Sequence, residues 1–145
     1  MAKSQAAHLE DVLGGRTIVY GKGRKVAGLE WAVREGLPVR SFEKVAEALA
    51  LKLGELASLI GVAPRTMARR KRAKVLSAIE SDRLVAIARI AAHAEETLGS
   101  RKAAQGWLRH PILALGNAAP IEYLDTEPGR RKVEDVLYQI DYGMY

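Results

Sequence analysis

The stretch from Glu55 to Glu80, ELASLIGVAPRTMARRKRAKVLSAIE, constrains this chain more than any other. Between the two glutamates no acidic residue occurs, and six basic ones do: Arg65, Arg69, Arg70, Lys71, Arg72 and Lys74. Taking those six from the chain's 23 Lys and Arg leaves 17, which balances its 17 Asp and Glu. The formal net charge of +6 is therefore the charge of one short segment. That segment also reads as helix, turn, helix. Leu56, Leu59 and Ile60 give the first helix an apolar face. Gly61 ends it, because glycine takes the left-handed backbone without the clash a Cβ would bring. Val62 can pack under the turn. Pro64 suits the first position of a second helix, where its missing N–H would be unpaired anyway. Ala57, four residues before Gly61, and Met67, six after it, stand where the two helices of a helix-turn-helix meet. A basic second helix after such a turn is the arrangement that presents a helix to nucleic acid.

On the second helix Arg65, Arg69 and Arg72 fall at i, i+4 and i+7, with Thr66 beside them, on a face turned away from Met67. Guanidinium groups there can reach base edges or phosphates. Arg70 and Lys71 flank Met67 nearer the body and must extend their charged heads around it. Position 70 usually holds an apolar residue in this motif, so Arg70 is a departure. The candidate DNA-binding residues are Arg65, Thr66, Arg69, Arg70, Arg72 and Lys74. The competing reading is a charged, solvated surface helix.

Composition fixes the class. Ala, Leu and Val dominate and aromatic residues make up 6% of the chain, which favours helix over sheet. With no cysteine, disulfides and thiolate metal sites are excluded, and a reducing compartment fits. No window approaches the roughly 18 apolar residues of a membrane helix. His8, Glu10 and Asp11 interrupt what would be the apolar core of a secretory signal. The expectation is a cytoplasmic protein with no membrane partner, and the pI of about 9.7 points to an anionic one.

Along the chain, Leu9, Val12 and Leu13 form a short amphipathic turn closed by Gly14 and Gly15. Thr17 to Tyr20 is β-prone and predicts a possible short edge strand. Gly21-Lys22-Gly23-Arg24-Lys25 resembles a phosphate loop but fails the Walker pattern, since Lys22 precedes Gly rather than Ser or Thr. It reads as a basic turn. Leu29 to Glu35 predicts a two-turn helix stopped by Gly36. Pro38 forces an extended link, and Ser41 is the expected N-cap of a helix carrying Phe42, Val45, Ala46 and Leu49. Ser77 and Glu80 form a capping box that launches a helix to about Leu98, stopped by Gly99. Leu84, Ile87, Ala91, Ala94 and Leu98, widened by Val85, Ala88, Ile90 and Ala92, predict burial on two sides. Asp82, Arg89, His93 and Glu96 make its narrow polar face, with His93 read as solvated rather than metal-bound. Ser100 restarts a helix through Leu108, which His110-Pro111 breaks. Pro120 opens a short helix, and Asp125-Thr126 caps a last one with Val133, Val136, Leu137 and Ile140 as its stripe. The tail, Asp141-Tyr142-Gly143-Met144-Tyr145, is rich in tyrosine and reads equally as a docking element or as a trimmed helix end. His8, His93 and His110 lie in unrelated contexts, so no catalytic residue, metal site or cofactor is expected.

From about Leu56 to Gly143 the sequence resembles the Xre/MbcA/ParS-type antitoxins of bacterial type II toxin–antitoxin systems. The matching features are Gly61-Val62, Arg65-Thr66 and Arg69-Arg70; then Leu76-Ser77, Glu80-Ser81-Asp82-Arg83-Leu84 and Ala88-Arg89. They continue with Trp107-Leu108, Pro111, Ala114-Leu115-Gly116, Pro120, Leu124-Asp125-Thr126, Gly129, Val133-Glu134 and Ile140-Asp141-Tyr142-Gly143. His110-Pro111-Ile112-Leu113 departs from the more usual Asn-Pro-Ala pattern, and Met144-Tyr145 leaves no room for the longer tail of some relatives. The resemblance implies an all-α fold: an N-terminal Xre-like helix-turn-helix domain followed by a small helical toxin-binding domain. Residues 1–40, which the resemblance does not reach, read as a partly helical N-terminal extension with a possible short strand; 41–76 are the expected DNA-binding region and 77–145 the expected toxin-binding and dimerisation domain. The resemblance also implies an NAD-consuming RES-domain toxin as partner, operator DNA, and a homodimer within a larger complex. The toxin-binding residues it implies are Tyr138, Ile140, Asp141, Tyr142, Gly143, Met144 and Tyr145. The alternative function is a free-standing helix-turn-helix regulator without a toxin.

Overall fold

A computed structural model describes residues 5–21 and 28–144. The Gly21–Lys25 basic turn falls largely outside the described residues, as does Tyr145. The described chain is all helical, in the order α1 (Gln5–Val12), α2 (Arg16–Tyr20), α3 (Leu29–Glu35), α4 (Val39–Leu49), α5 (Leu53–Leu59), α6 (Pro64–Ala73), α7 (Ala78–Leu98), α8 (Arg101–Arg109) and α9 (Glu127–Asp141). Two 3₁₀ turns, Leu113–Leu115 and Pro120–Tyr123, lie between α8 and α9.

Helix α7 is the axis. Its start is the capping box read from sequence: Ser77 Oγ accepts from the Glu80 N–H at 3.2 Å, and Glu80 Oε1 accepts from the Ser77 N–H at 2.9 Å. Gly99, at φ 90°, closes the helix in the left-handed region. Helices α1, α3, α4, α8 and α9 pack around it. Leu84, Ile87, Ala88 and Ala94 have no exposed surface, and the small alanines let the neighbouring helices approach closely. One continuous core runs from Leu9, Val12 and Leu13 of the N-terminal region to Val133 and Leu137 of α9.

Two local expectations are corrected. Thr17–Tyr20 is not a strand but part of α2. Among the described residues no strand lies alongside to pair with it, whereas a helical turn satisfies its backbone (Val19 N to Gly15 O 3.1 Å, Gly21 N to Thr17 O 2.9 Å) and buries Val19. Ser41 is not an N-cap. The helix starts two residues earlier, after Pro38, and Ser41 is buried with its hydroxyl lacking a hydrogen-bond partner among the described residues. The reason is tertiary. Residues 37–39 run against 74–76, so the Val39 N–H donates to the Lys74 carbonyl (3.1 Å) and the Leu76 N–H to the Leu37 carbonyl (2.8 Å). The helix start is thereby satisfied by backbone rather than by a side chain.

Candidate nucleic-acid and partner-binding surfaces

The helix-turn-helix consists of α5, the turn 60–63 and α6. Leu56 and Ile60 are fully buried, Gly61 holds φ 75°, and the buried Val62 donates its N–H to the Ala57 carbonyl at 2.8 Å. Arg83 of α7 donates to the Ile60 carbonyl at 3.1 Å, satisfying an orphan acceptor at the end of α5. Pro64 occupies the first turn of α6. Arg70, Lys71 and Arg72 in its last turn complement the negative end of the helix dipole. Met67 is the only residue of α6 that is buried.

Around that single anchor the basic residues divide. Arg65, Arg69, Lys71, Arg72 and Lys74 are exposed and make no ion pair among the described residues. Arg69 reaches only Thr66 Oγ1, at 3.4 Å. Arg70 turns the other way. Its Nε donates to Glu80 Oε1 at 2.8 Å and its Nη2 to Glu80 Oε2 at 3.1 Å, a bidentate pair between α6 and the first turn of α7. Burial pushes the Glu80 carboxyl up, but Arg70 and the Ser77 N–H outweigh it and hold the carboxyl below its ordinary range. An apolar residue is usual at position 70; here the position is polar because Glu80 receives it.

At the other end of α7 stands the C-terminal face. Thr126 Oγ1 accepts from the Gly129 N–H at 3.0 Å and starts α9, as the sequence indicates. Val133 and Leu137 are fully buried against α7. The helix ends on Gly143 at φ 68°, with the Met144 N–H returning to the Gln139 carbonyl at 2.7 Å. Tyr138 is 45% exposed, Tyr142 72% and Met144 65%, and the two tyrosine rings stack with centroids 6.5 Å apart. Ile140 is half-buried. Asp141, though exposed, is engaged by α7. It accepts from Thr97 Oγ1 at 2.6 Å and lies 2.7 Å from His93 Nε2.

His93 corrects the expectation of a solvated histidine. Its side chain is 10% exposed, its Nδ1 lies 2.6 Å from Glu134, and its ring centroid is 4.6 Å from that of Tyr138. The partners are 41 and 48 residues away in sequence, so only tertiary structure could reveal them. Sequence reading likewise misses Arg83 as the residue that secures the turn. Among the described residues no group of three or more acidic or imidazole side chains is placed to hold a metal ion, and no helix is long and apolar enough to cross a membrane.

Comparison with known proteins places both surfaces in matched regions. Residues 32–89 match the Antitoxin Xre-like helix-turn-helix domain, and residues 93–143 match the Antitoxin Xre/MbcA/ParS C-terminal toxin-binding domain. Antitoxin Xre of Photorhabdus laumondii is 31% identical over 114 residues, covering 77% of this chain and 77% of that protein. The chain belongs to the Xre family of antitoxins. Antitoxin Xre of Pseudomonas putida is 38% identical over 80 residues, spanning 54% of this chain and 50% of the relative. The Prs ADP-ribosylating antitoxin of a Sphingobium species is 32% identical over 79 residues, spanning 48% and 50%. The antitoxin therefore joins a DNA-binding domain to a toxin-binding domain, and the two family matches meet within α7.

Proposed function

We propose that this antitoxin neutralises an NAD-consuming RES-domain toxin by direct contact through the end of α9, and that it represses its own operon as a homodimer through α6. The observation that carries the reading is the division of labour along α7. Glu80 and Arg83 hold the basic helix, while His93 and Thr97 hold the aromatic tail. At 1.5 Å per residue, Glu80 and His93 stand about 20 Å apart on one rigid helix. Arg65, Thr66, Arg69, Arg72 and Lys74 are then the DNA-facing residues, and Arg70 is a latch that fixes α6 to the body. Tyr138, Ile140, Tyr142, Gly143, Met144 and Tyr145 form the toxin-facing set, with Asp141 as their anchor. A homodimer supports the DNA half, since helix-turn-helix readers bind paired half-sites.

The test is co-expression with a RES-domain toxin. Cells should grow with the full chain and stop growing when Tyr142 to Tyr145 are deleted, while the deleted chain still binds the promoter DNA of its operon. Full rescue by the deleted chain would remove the tail from the toxin interface. The match of residues 93–143 to a toxin-binding domain weighs against a free-standing regulator.

A further inference from the structure

The ring of His93 stands between two carboxylates of α9, Glu134 on Nδ1 at 2.6 Å and Asp141 on Nε2 at 2.7 Å. A neutral imidazole has one N–H and one acceptor nitrogen. Placed here, it could donate to only one carboxylate and would set its lone pair against the other. The imidazolium donates to both. With a side chain 10% exposed, His93 has little water to take the place of either partner.

The surrounding charge agrees. From α9, Glu134, Asp141 and Tyr138 face the ring. From α7, Arg89 and Glu96 line the same small cavity, and Thr97 bonds to the far oxygen of Asp141. From α1 and α3 the lining residues are uncharged Gln5, Leu9 and Leu29, while His8 of α1 faces Glu95 and Glu96 instead. Carboxylates thus dominate around His93. Burial by itself lowers its pKa, and the hydrogen bonds from Glu134 and Asp141 outweigh that and raise it above the ordinary value.

We propose that His93, as an imidazolium, is a positioning residue for toxin binding: it ties the last turn of α9 to α7 and so fixes the exposed Tyr138–Tyr142 pair. This rests on the reading that the tail docks on the toxin. Because the folded pKa is raised, the lock is complete below about pH 6.5 and is lost as pH rises through the folded value. Burial pushes the Asp141 carboxyl up, but its bonds to Thr97 and His93 outweigh that and hold it below its ordinary 3.8, so Asp141 remains an ionised partner until pH falls through that lowered value. Toxin binding is therefore coupled to proton binding at a residue that need not touch the toxin.

The test uses the full chain. Nitrogen-15 spectra of the histidine rings should show His93 still doubly protonated at a pH where the histidine of an unstructured reference peptide is already neutral. Protection of amides 138–144 against hydrogen exchange should fall in His93→Gln, and wild-type protection should approach that of the variant as pH rises. Toxin affinity of His93→Gln should be about tenfold weaker near pH 6, the loss of a charge-assisted hydrogen bond, and its pH profile should be flat. A His93 ring that titrates together with the histidine of the reference peptide overturns the proposal. So does a His93→Gln chain that binds toxin with the wild-type affinity and pH profile. If deletion of Tyr142 to Tyr145 leaves toxin affinity intact, the docking reading falls and the positioning role falls with it. The ring spectra and amide protection would still show whether the lock itself exists.

Discussion

Arg69 and Arg70 are neighbours in sequence with opposite surroundings, and a salt titration should separate them. Operator binding by the wild-type chain weakens with salt because each phosphate contact releases counterions, with a logarithmic slope of about −0.9 per contact. Arg69 is exposed and holds only a 3.4 Å bond to Thr66, so it is free to take a phosphate. Arg70 is committed to both oxygens of Glu80. In a dimer, Arg69→Ala removes two contacts and should flatten the slope by about 1.8. Between 50 and 200 mM salt, a fourfold change, that difference amounts to about twelvefold: the wild type loses that much more affinity than the variant. Arg70→Ala should leave the slope unchanged and lower the melting temperature instead, because Glu80 loses its partner. The assay is fluorescence anisotropy with labelled promoter DNA over that salt range, alongside thermal denaturation. If Arg70→Ala flattens the slope as much as Arg69→Ala, Arg70 contacts phosphate and the latch assignment is wrong.

Two further outcomes follow from the packing. At Gly129 an added Cβ would stand 2.2 Å from the Tyr123 carbonyl oxygen and 2.8 Å from Thr126 Oγ1. Since the obstacle is backbone, Gly129→Ala should cost about 3 kcal/mol in overpacking against about 1 kcal/mol gained in helix propensity. The net loss of about 2 kcal/mol should lower the melting temperature by about 4–8 °C in calorimetry, and an unchanged value would contradict the close approach. Glu80 has a lowered pKa, so its contribution is present above about pH 4.5 and is lost as pH falls through the folded value. Glu80→Gln should therefore be less stable than wild type at pH 7 and close to it at pH 3 by urea denaturation; a gap independent of pH would mean that the carboxylate charge plays no part.

How much was legible in the sequence depended on how far the deciding atoms lay along the chain. The limits of α3, α7 and α9 were readable because Gly36, the Ser77–Glu80 box, Gly99 and Thr126 act within about one helical turn. The helix-turn-helix was readable because Gly61, Ala57 and Met67 carry its geometry in their spacing. The exposure of Arg65, Arg69 and Arg72 followed from helical periodicity about Met67. Thr17–Tyr20 misled because β propensity describes a fit to neighbouring strands, and the chain supplies none there among the described residues. Ser41 misled because the backbone of residues 74–76 satisfied the helix start in its place.

The sequence by itself determined an all-α chain, a basic helix after a glycine turn, and the family through the order of its motifs. Only the tertiary structure decided which charges are free. The six-residue basic run proved to be five exposed cations and one latch, because Glu80, ten residues on, turns Arg70 inward. His93 proved to be a part-buried clasp, because α9 folds back and brings Glu134 and Asp141 to both sides of its ring. Local signals set where helices begin and end; the pairing of charges across helices depends on packing between residues far apart in the chain.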